Sequence, residues 1–446
     1  MFKTKQLLDH AGFMKHFRNI SWILGEKVLR LALGLFVGIL VARYLGPERF
    51  GILAYALSLM ALFAVSAHMG LGGLVIRDLV KKPDEIDFTL GTTFLMKFAA
   101  GAVAVLLLAV FAFATEETGS TQFWMLLVVS VVILFRPFEI FSFWFDSQVQ
   151  ARYNSLANGL AGAVASLVKV GLVLTGAHLL AFAFVPGLEA ALVAVLLVYF
   201  YKRKASVSLG RLRASLSMAG ELLGQSWIIM VGTFFAMVYF KIDQVMLRWL
   251  AGPGDVGVYA VASQLSEVWY FVPTAIVASL FPKLIHLREE NHGEYTRRLQ
   301  QLFDLLFSLA LGLAVVVTLV ADPLIRLLYG SAYENAGLVL AIHIWAGLFI
   351  FMRSAFSKWI LIEDALMFSL ITQGLGALSN IALNFLLIPI YGIYGAAVAT
   401  LLSYAMASYI SLVFYRRTRP VFWMMSRSMI SPIRYALQLA GKKGLG

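Results

Sequence analysis

The sequence predicts an all-α integral membrane protein, with about twelve transmembrane helices in two six-helix bundles related by a pseudo-twofold axis along the membrane normal. Three observations carry this. Of the 446 residues 61% are apolar and only 13% are charged, against roughly 25% charged in an ordinary soluble domain. Twelve stretches are long and apolar enough to cross a bilayer, each near the ~20 residues that hydrocarbon requires. Finally, a sequence patch in the first half recurs in the second. A soluble chain cannot bury this much apolar surface, which excludes a cytosolic enzyme. The net charge of +12 comes with too few charges to build a phosphate-binding face, so no nucleic-acid partner is expected. Absence of cysteine excludes disulfides and thiolate metal sites.

Taken in order, the apolar stretches are 20–42, 51–75, 89–114, 123–145, 155–177 and 180–201, which make an N-terminal bundle over 1–201. A cytoplasmic linker, 202–221, follows. The stretches 222–247, 257–281, 302–321, 336–357, 366–389 and 393–415 make the C-terminal bundle over 222–415, and 416–446 is a basic cytoplasmic tail. The first stretch is too long for a signal-peptide core and no small-residue cleavage site follows it, so it is expected to remain in the mature protein. Outer loops such as 115–122 and 322–335 are too short to house a catalytic domain. The inner segments 202–221 and 282–301 are basic and polar and read as solvated connectors, and the tail as a surface-lying or disordered segment.

Orientation follows from the cations. With the N-terminus inside, inner segments hold 25 Lys and Arg and outer loops only 4 (Arg43, Arg49, Arg248 and Arg326). Lys and Arg collect on the cytoplasmic side, so both termini are expected there, in a multi-pass protein.

The repeat begins at Ser21-Trp22-Ile23-Leu24 and again at Ser226-Trp227-Ile228-Ile229. Arg43-Tyr44-Leu45-Gly46-Pro47 and Arg248-Trp249-Leu250-Ala251-Gly252-Pro253 each start 22 residues after the serine, at a constant shift of 205. Phe50-Gly51-Ile52-Leu53-Ala54-Tyr55 is then matched by Val256-Gly257-Val258-Tyr259-Ala260. Six stretches separate the copies, an even number, so both halves enter the membrane from the same side. This is the internal symmetry of two-bundle transporters, which bind substrate in a mid-membrane cavity between repeats.

The segment RYLGPERFGILAYA (43–56) resembles the signature after the first helix of the bacterial oligosaccharide flippase (Wzx-type) family. Asp243-Gln244-Val245-Met246-Leu247, Phe281-Pro282-Lys283-Leu284 and Leu328-Tyr329-Gly330-Ser331-Ala332-Tyr333 match further patches. Asn384 to Pro389 followed by Tyr391 to Ala397 is similar to the family's last hairpin. The resemblance runs from about residue 20 to 415. It implies a place beside multidrug extruders and the lipid II flippase in one exporter superfamily. It also implies movement of polyprenyl-diphosphate-linked oligosaccharide from the cytoplasmic to the outer leaflet by alternating access, for O-antigen or another surface polysaccharide. The implied setting is the bacterial cytoplasmic (inner) membrane. Implied partners are the lipid-linked oligosaccharide, membrane lipids, H+ or Na+ as coupling ion, and the polysaccharide polymerase machinery.

Twelve charges lie within the stretches: Lys27, Arg30, Lys97, Arg136, Lys169, Lys241 and Arg353, with Glu26, Glu139, Glu189, Asp243 and Glu267. A charge facing lipid costs about 2.5–3.5 kcal/mol, on the order of 35 kcal/mol for the set, so these groups must pair or line a wet cavity. Glu26 and Arg30 are one helical turn apart, leaving Lys27 either to snorkel or to meet a diphosphate. Lys97 lies about 14 Å inside its helix, too deep to snorkel and without a local acid. Lys27, Arg30, Lys97, Lys169, Lys241 and Arg353 are therefore the candidate substrate-binding cations. Glu26, Asp243 and Glu267 are the candidate ion-coupling or gating acids. Arg136 precedes Pro137 and is read as bracing a kink. Trp144, Tyr239, Trp269, Tyr270 and Asn380 are candidates for sugar contact. An enzyme is disfavoured, because the chain has no DxD, no HExxH and no GxxxxGK[ST]. No catalytic residue, metal ligand set or cofactor is expected. The alternative function is a cation- or proton-coupled extruder of drugs or other small molecules from the same superfamily; its cationic substrates would favour a more acidic cavity.

Overall fold

Long apolar runs without internal breakers become helices because a bilayer leaves no partner for an unpaired backbone group. The computed structural model describes residues 10–205, 209–432 and 434. Among these there is no strand, and ten helices are long and apolar enough to cross a membrane. Two of them, Ser21–Lys81 with 61 residues and Leu366–Val413 with 48, each carry two of the predicted stretches. Both contain a glycine break. Gly46 (φ 71°, ψ 169°) precedes Pro47, and Gly392 (φ 55°, ψ −132°) follows Pro389. An L side chain is strained at such a φ and proline cannot supply the helical N–H, so each break divides a long helix where the hydropathy reading divided it.

The chain forms two compact units, Met1–Leu45 with Ala56–Thr233, and Gly46–Tyr55 with Phe234–Gly446. The first unit contains most of α1 (His10–His68), then α2 (Gly72–Lys81), α3 (Ile86–Thr115), α4 (Thr121–Ser130), α5 (Glu139–Ser147), α6 (Ala151–Leu174) and α7 (Leu179–Lys204). Ser120 caps α4 by accepting the Phe123 N–H at 3.2 Å. A 3-10 stretch, Val131–Phe138, joins α4 to α5 in the middle of one predicted crossing. Leu71, Val75, Leu90, Ile140, Phe145 and Tyr201 pack in the core of this unit. The linker is more than a solvated connector. Arg213 N–H donates to Asp87 O (3.2 Å) and Ser215 N–H to Thr92 Oγ1 (3.0 Å), and Arg213 backbone lies where a Cβ on Gly91 would be.

Helix α8 (Leu216–Leu250) begins in the first unit and ends in the second. The second unit then holds α9 (Pro253–Glu267), α10 (Phe271–Glu290), α11 (His292–Tyr329), α12 (Ala336–His343), α13 (Gly347–Ile362), α14 (Leu366–Ser408) and α15 (Arg419–Met429). Short 3-10 turns, Val268–Tyr270 and Ile344–Ala346, interrupt the crossings between α9 and α10 and between α12 and α13. The 282–301 segment, expected as a solvated connector, is helical nearly throughout. Its Arg288 makes two hydrogen bonds to Glu363, at 2.7 and 3.2 Å.

Part of the tail also departs from the surface-lying or disordered expectation. Val421, Met425 and Ser428 of α15 are buried, and Asp304 of α11 binds Ser428 Oγ at 2.9 Å and Arg434 Nη2 at 2.6 Å. Residues 433 and 435–446 lie outside the described residues.

The repeated patches meet within the second unit. A Cβ on Gly51 would fall on the carbonyl oxygen of Pro253, and one on Gly257 would fall on that of Pro47. Glycine is required at both positions because backbone occupies the place of a side chain.

Candidate functional site

The first unit encloses a cavity of about 460 Å³ whose polar wall includes Arg30, His68, Arg136, Glu139, Asn158 and Glu189. The 3-10 stretch before α5 places Arg136 and Glu139 three residues apart on that wall. Glu139 is the hub. Its Oε1 accepts Arg136 Nη1 at 2.6 Å and its Oε2 accepts Lys97 Nζ at 2.9 Å, with His68 Nδ1 at 3.6 Å. Separating such a buried pair would leave an ion in low dielectric at a cost of several kcal/mol, so Lys97 and Glu139 hold each other in place. Lys97 does not reach the cavity: its side chain is 0% exposed and sealed behind Glu139. Across the same cavity, Arg30 lies 3.5 Å from Glu26 and 3.9 Å from Glu189. Lys169 interacts electrostatically with Glu189. Lys27 is exposed. The Arg30 and Arg136 side chains are 47% and 43% exposed, so both guanidiniums keep free donors for an anion.

The second unit carries a separate buried polar network. Asp243 is 2% exposed, and three neutral donors bind its carboxylate. Tyr259 Oη at 2.8 Å and Thr400 Oγ1 at 2.6 Å donate to Oδ2, and Asn384 Nδ2 at 2.5 Å donates to Oδ1. Asn384 also donates to Asn380 Oδ1 at 3.1 Å, and Asn380 to Ser403 Oγ at 3.1 Å. A carboxylate held by neutral oxygens and amides offers a place for a proton or a small monovalent cation. Lys241 Nζ lies 3.2 Å from Glu267 Oε2, so each supplies the partner the other lacks along its own helix. Arg353 is 9% exposed and donates to Thr372 Oγ1 (3.1 Å), Ala407 O (3.0 Å) and Ser369 Oγ (3.2 Å), tying α13 to α14.

Of the predicted site residues, the structure brings Arg30 and Glu26 together beside the first cavity, and Lys241 and Glu267 together in the second unit. Arg136 does brace the 3-10 stretch through Glu139, and it faces the cavity as well. Glu139, Glu189 and His68 complete the cavity wall beyond the residues expected from sequence; Arg136 apart, their partners lie far away in the chain. Among the candidates for sugar contact, Trp144 and Tyr239 are buried in packing and Asn380 in the Asp243 network, whereas Trp269 is 39% exposed.

An all-helical fold with ten helices long and apolar enough to cross a membrane, and polar clusters in its interior, defines a multi-pass membrane protein. The profile of the family described as "Polysaccharide biosynthesis protein" matches residues 16–288, and the chain belongs to that family. It is 26% identical over 396 residues to the probable flippase AglR of Haloferax volcanii, covering 87% of this chain and 81% of that protein. It is 25% identical over 339 residues to the succinoglycan biosynthesis transport protein ExoT of Rhizobium meliloti, covering 73% and 65%. Its fold matches an inward-facing multidrug resistance MATE family transporter of the MOP superfamily (TM-score 0.67, 12% identity, 90% of this chain and 99% of that one). The lipid II flippase MurJ in an inward closed conformation matches equally well (TM-score 0.67, 16% identity, 94% and 93%).

Proposed function

We propose that the protein flips polyprenyl-diphosphate-linked oligosaccharide repeat units from the cytoplasmic to the outer leaflet for surface polysaccharide biosynthesis. In this reading the bundles 1–201 and 222–415 alternate access to the substrate in the cytoplasmic membrane, with both termini inside. One observation carries the reading: the first cavity presents Arg30 and Arg136, two half-exposed guanidiniums paired with the carboxylates Glu26, Glu189 and Glu139. A diphosphate is a stronger bidentate acceptor than a carboxylate already shared among several cations, so it can take over these donors without leaving a bare charge. Glu139 and Glu189 then act as resident counter-ions between substrate visits. Lys97 and Lys169 stand behind them and set the local charge, and Lys27 meets headgroups along α1. In the second unit, Asp243 and the Lys241–Glu267 pair serve ion coupling by H+ or Na+, and Arg353 holds α13 and α14 in register. Release of the flipped substrate delivers it to the polymerase machinery.

The test is deletion, complementation and a leaflet-resolved assay of lipid-linked oligosaccharide. Deletion should leave that material on the inner leaflet. Arg30→Ala or Arg136→Ala protein should reach the membrane yet move it at least about tenfold more slowly, the effect of losing about 1.4 kcal/mol of binding. Normal export in both variants overturns the cavity assignment. A drug extruder is the second reading, favoured by the acids Glu139, Asp146 and Glu189 on the cavity wall. Drug sensitivity with normal glycans after deletion would select it; family membership favours the first.

A further inference from the structure

A second opening in the first unit is nearly all apolar. A groove of about 470 Å³ runs between the first part of α1 and α6, lined by Gly25, Leu29, Leu156, Gly159, Leu160 and Ala163. Helix pairs in membranes commonly use glycine to bring backbones into contact. Gly51 and Gly257 do so. Gly25 and Gly159 do not: a Cβ on either would meet no atom within 4 Å. These two glycines, Gly25 exposed and Gly159 buried, leave the groove between the helices open.

The groove carries charge at two points on α1. Arg18 and Glu26 are its charged lining residues. They stand eight residues apart on α1, about 12 Å at 1.5 Å per residue. Glu26 is also the ion-pair partner of Arg30, which lines the 460 Å³ polar cavity. The apolar groove and the polar cavity therefore meet at one side-chain pair on α1. A ligand suited to both has an apolar chain and an anionic group at its end.

We infer that the α1–α6 groove holds the isoprenoid chain of the transported lipid while its diphosphate engages Arg30 in the adjoining cavity. This rests on the flippase reading and adds where the chain sits. The committed occupant is the substrate's own chain, because the groove opens onto the Glu26–Arg30 pair that faces the cavity proposed for the diphosphate; bulk phospholipid in its place is an outcome of the test.

The open space at both glycines permits a clean test. A Cβ at either glycine meets nothing within 4 Å, so Gly159→Leu and Gly25→Leu direct their added bulk into the groove; leucine is also a better helix former than glycine, and the full chain should fold and keep its melting temperature. Purified protein in proteoliposomes is assayed with one glycan on a long polyprenyl diphosphate and with the same glycan on geranyl diphosphate. Both variants should slow the long-chain substrate at least about tenfold and leave the geranyl substrate near wild-type rate. Equal rates on the long chain overturn the groove. In parallel, a benzophenone amino acid placed at Leu160 is irradiated with radiolabelled polyprenyl diphosphate. Labelling that excess cold ligand removes supports the assignment, and capture of phospholipid alone overturns it. If wild type moves neither substrate, the flippase reading falls, and this cross-linking still decides whether the groove takes a polyprenyl chain.

Discussion

Lys97 and Glu139 show how a buried charge is tolerated. The lysine has no exposed side-chain surface, and the carboxylate it contacts, Glu139, is 42 residues away. Glu139→Gln should destabilise the protein by about 3–5 kcal/mol, because it leaves Lys97 buried without its counter-charge. Adding Lys97→Met should recover most of that loss. Unfolding in detergent measures both; an equal loss in single and double variants would show that the pair is not the source. Asp243 makes a different prediction. Asp243→Ala removes the acceptor shared by Tyr259, Thr400 and Asn384, which keep only their bonds to one another, Ala396 and Asn380, and should cost about 1–3 kcal/mol. Asp243→Asn keeps a polar group of the same size and should spare the fold, but transport should no longer respond to an imposed proton or sodium gradient. A full response in Asp243→Asn would remove Asp243 from coupling. At this scale the sequence was legible only locally. Glu26–Arg30 is one helical turn and could be read from spacing; Lys97–Glu139, Arg30–Glu189 and Lys241–Glu267 join different helices, which spacing along one helix does not register.

At the scale of elements, hydropathy located the crossings, and the glycine breaks at Gly46 and Gly392 explain why twelve stretches occupy ten continuous helices. It did not locate the 3-10 stretches, since apolar content is unchanged when a hydrogen bond shifts from i−4 to i−3. Nor did it show the linker docked on α3, or the tail helix α15 packed on α11. Both polar segments are held by hydrogen bonds to partners far off in sequence. Helix α9 offers a controlled comparison. A Cβ at Gly254 meets nothing, whereas one at Gly257 meets Pro47 backbone. Gly257→Ala should cost about 1–3 kcal/mol through overpacking, and Gly254→Ala should be neutral or gain less than about 1 kcal/mol. Thermal melts of the two variants check this directly, and equal melts would deny the close crossing.

For the whole molecule, the asymmetry of 25 inner cations against 4 outer ones predicts topology. The absence of cysteine makes that prediction easy to measure, since an introduced cysteine is the chain's sole thiol. In intact cells a membrane-impermeant maleimide should label Thr118→Cys and leave Arg203→Cys unlabelled until the membrane is opened. The reverse pattern would invert the protein. Fold class was legible because a bilayer imposes one length and one secondary structure on every crossing. The interior polar sites were not, because their geometry depends on which helices become neighbours.

The reciprocal contact of Gly51 with Pro253 and of Gly257 with Pro47 has the form of an isologous interface, in which one surface binds its own copy. Here both copies belong to one polypeptide, and each lies four residues from proline to glycine. Inserting a single residue in either copy would turn its glycine by about 100° around the helix and break both contacts at once. The two halves of this duplication therefore cannot diverge independently in the length of this short segment: a change in one is admissible only if the other accommodates it.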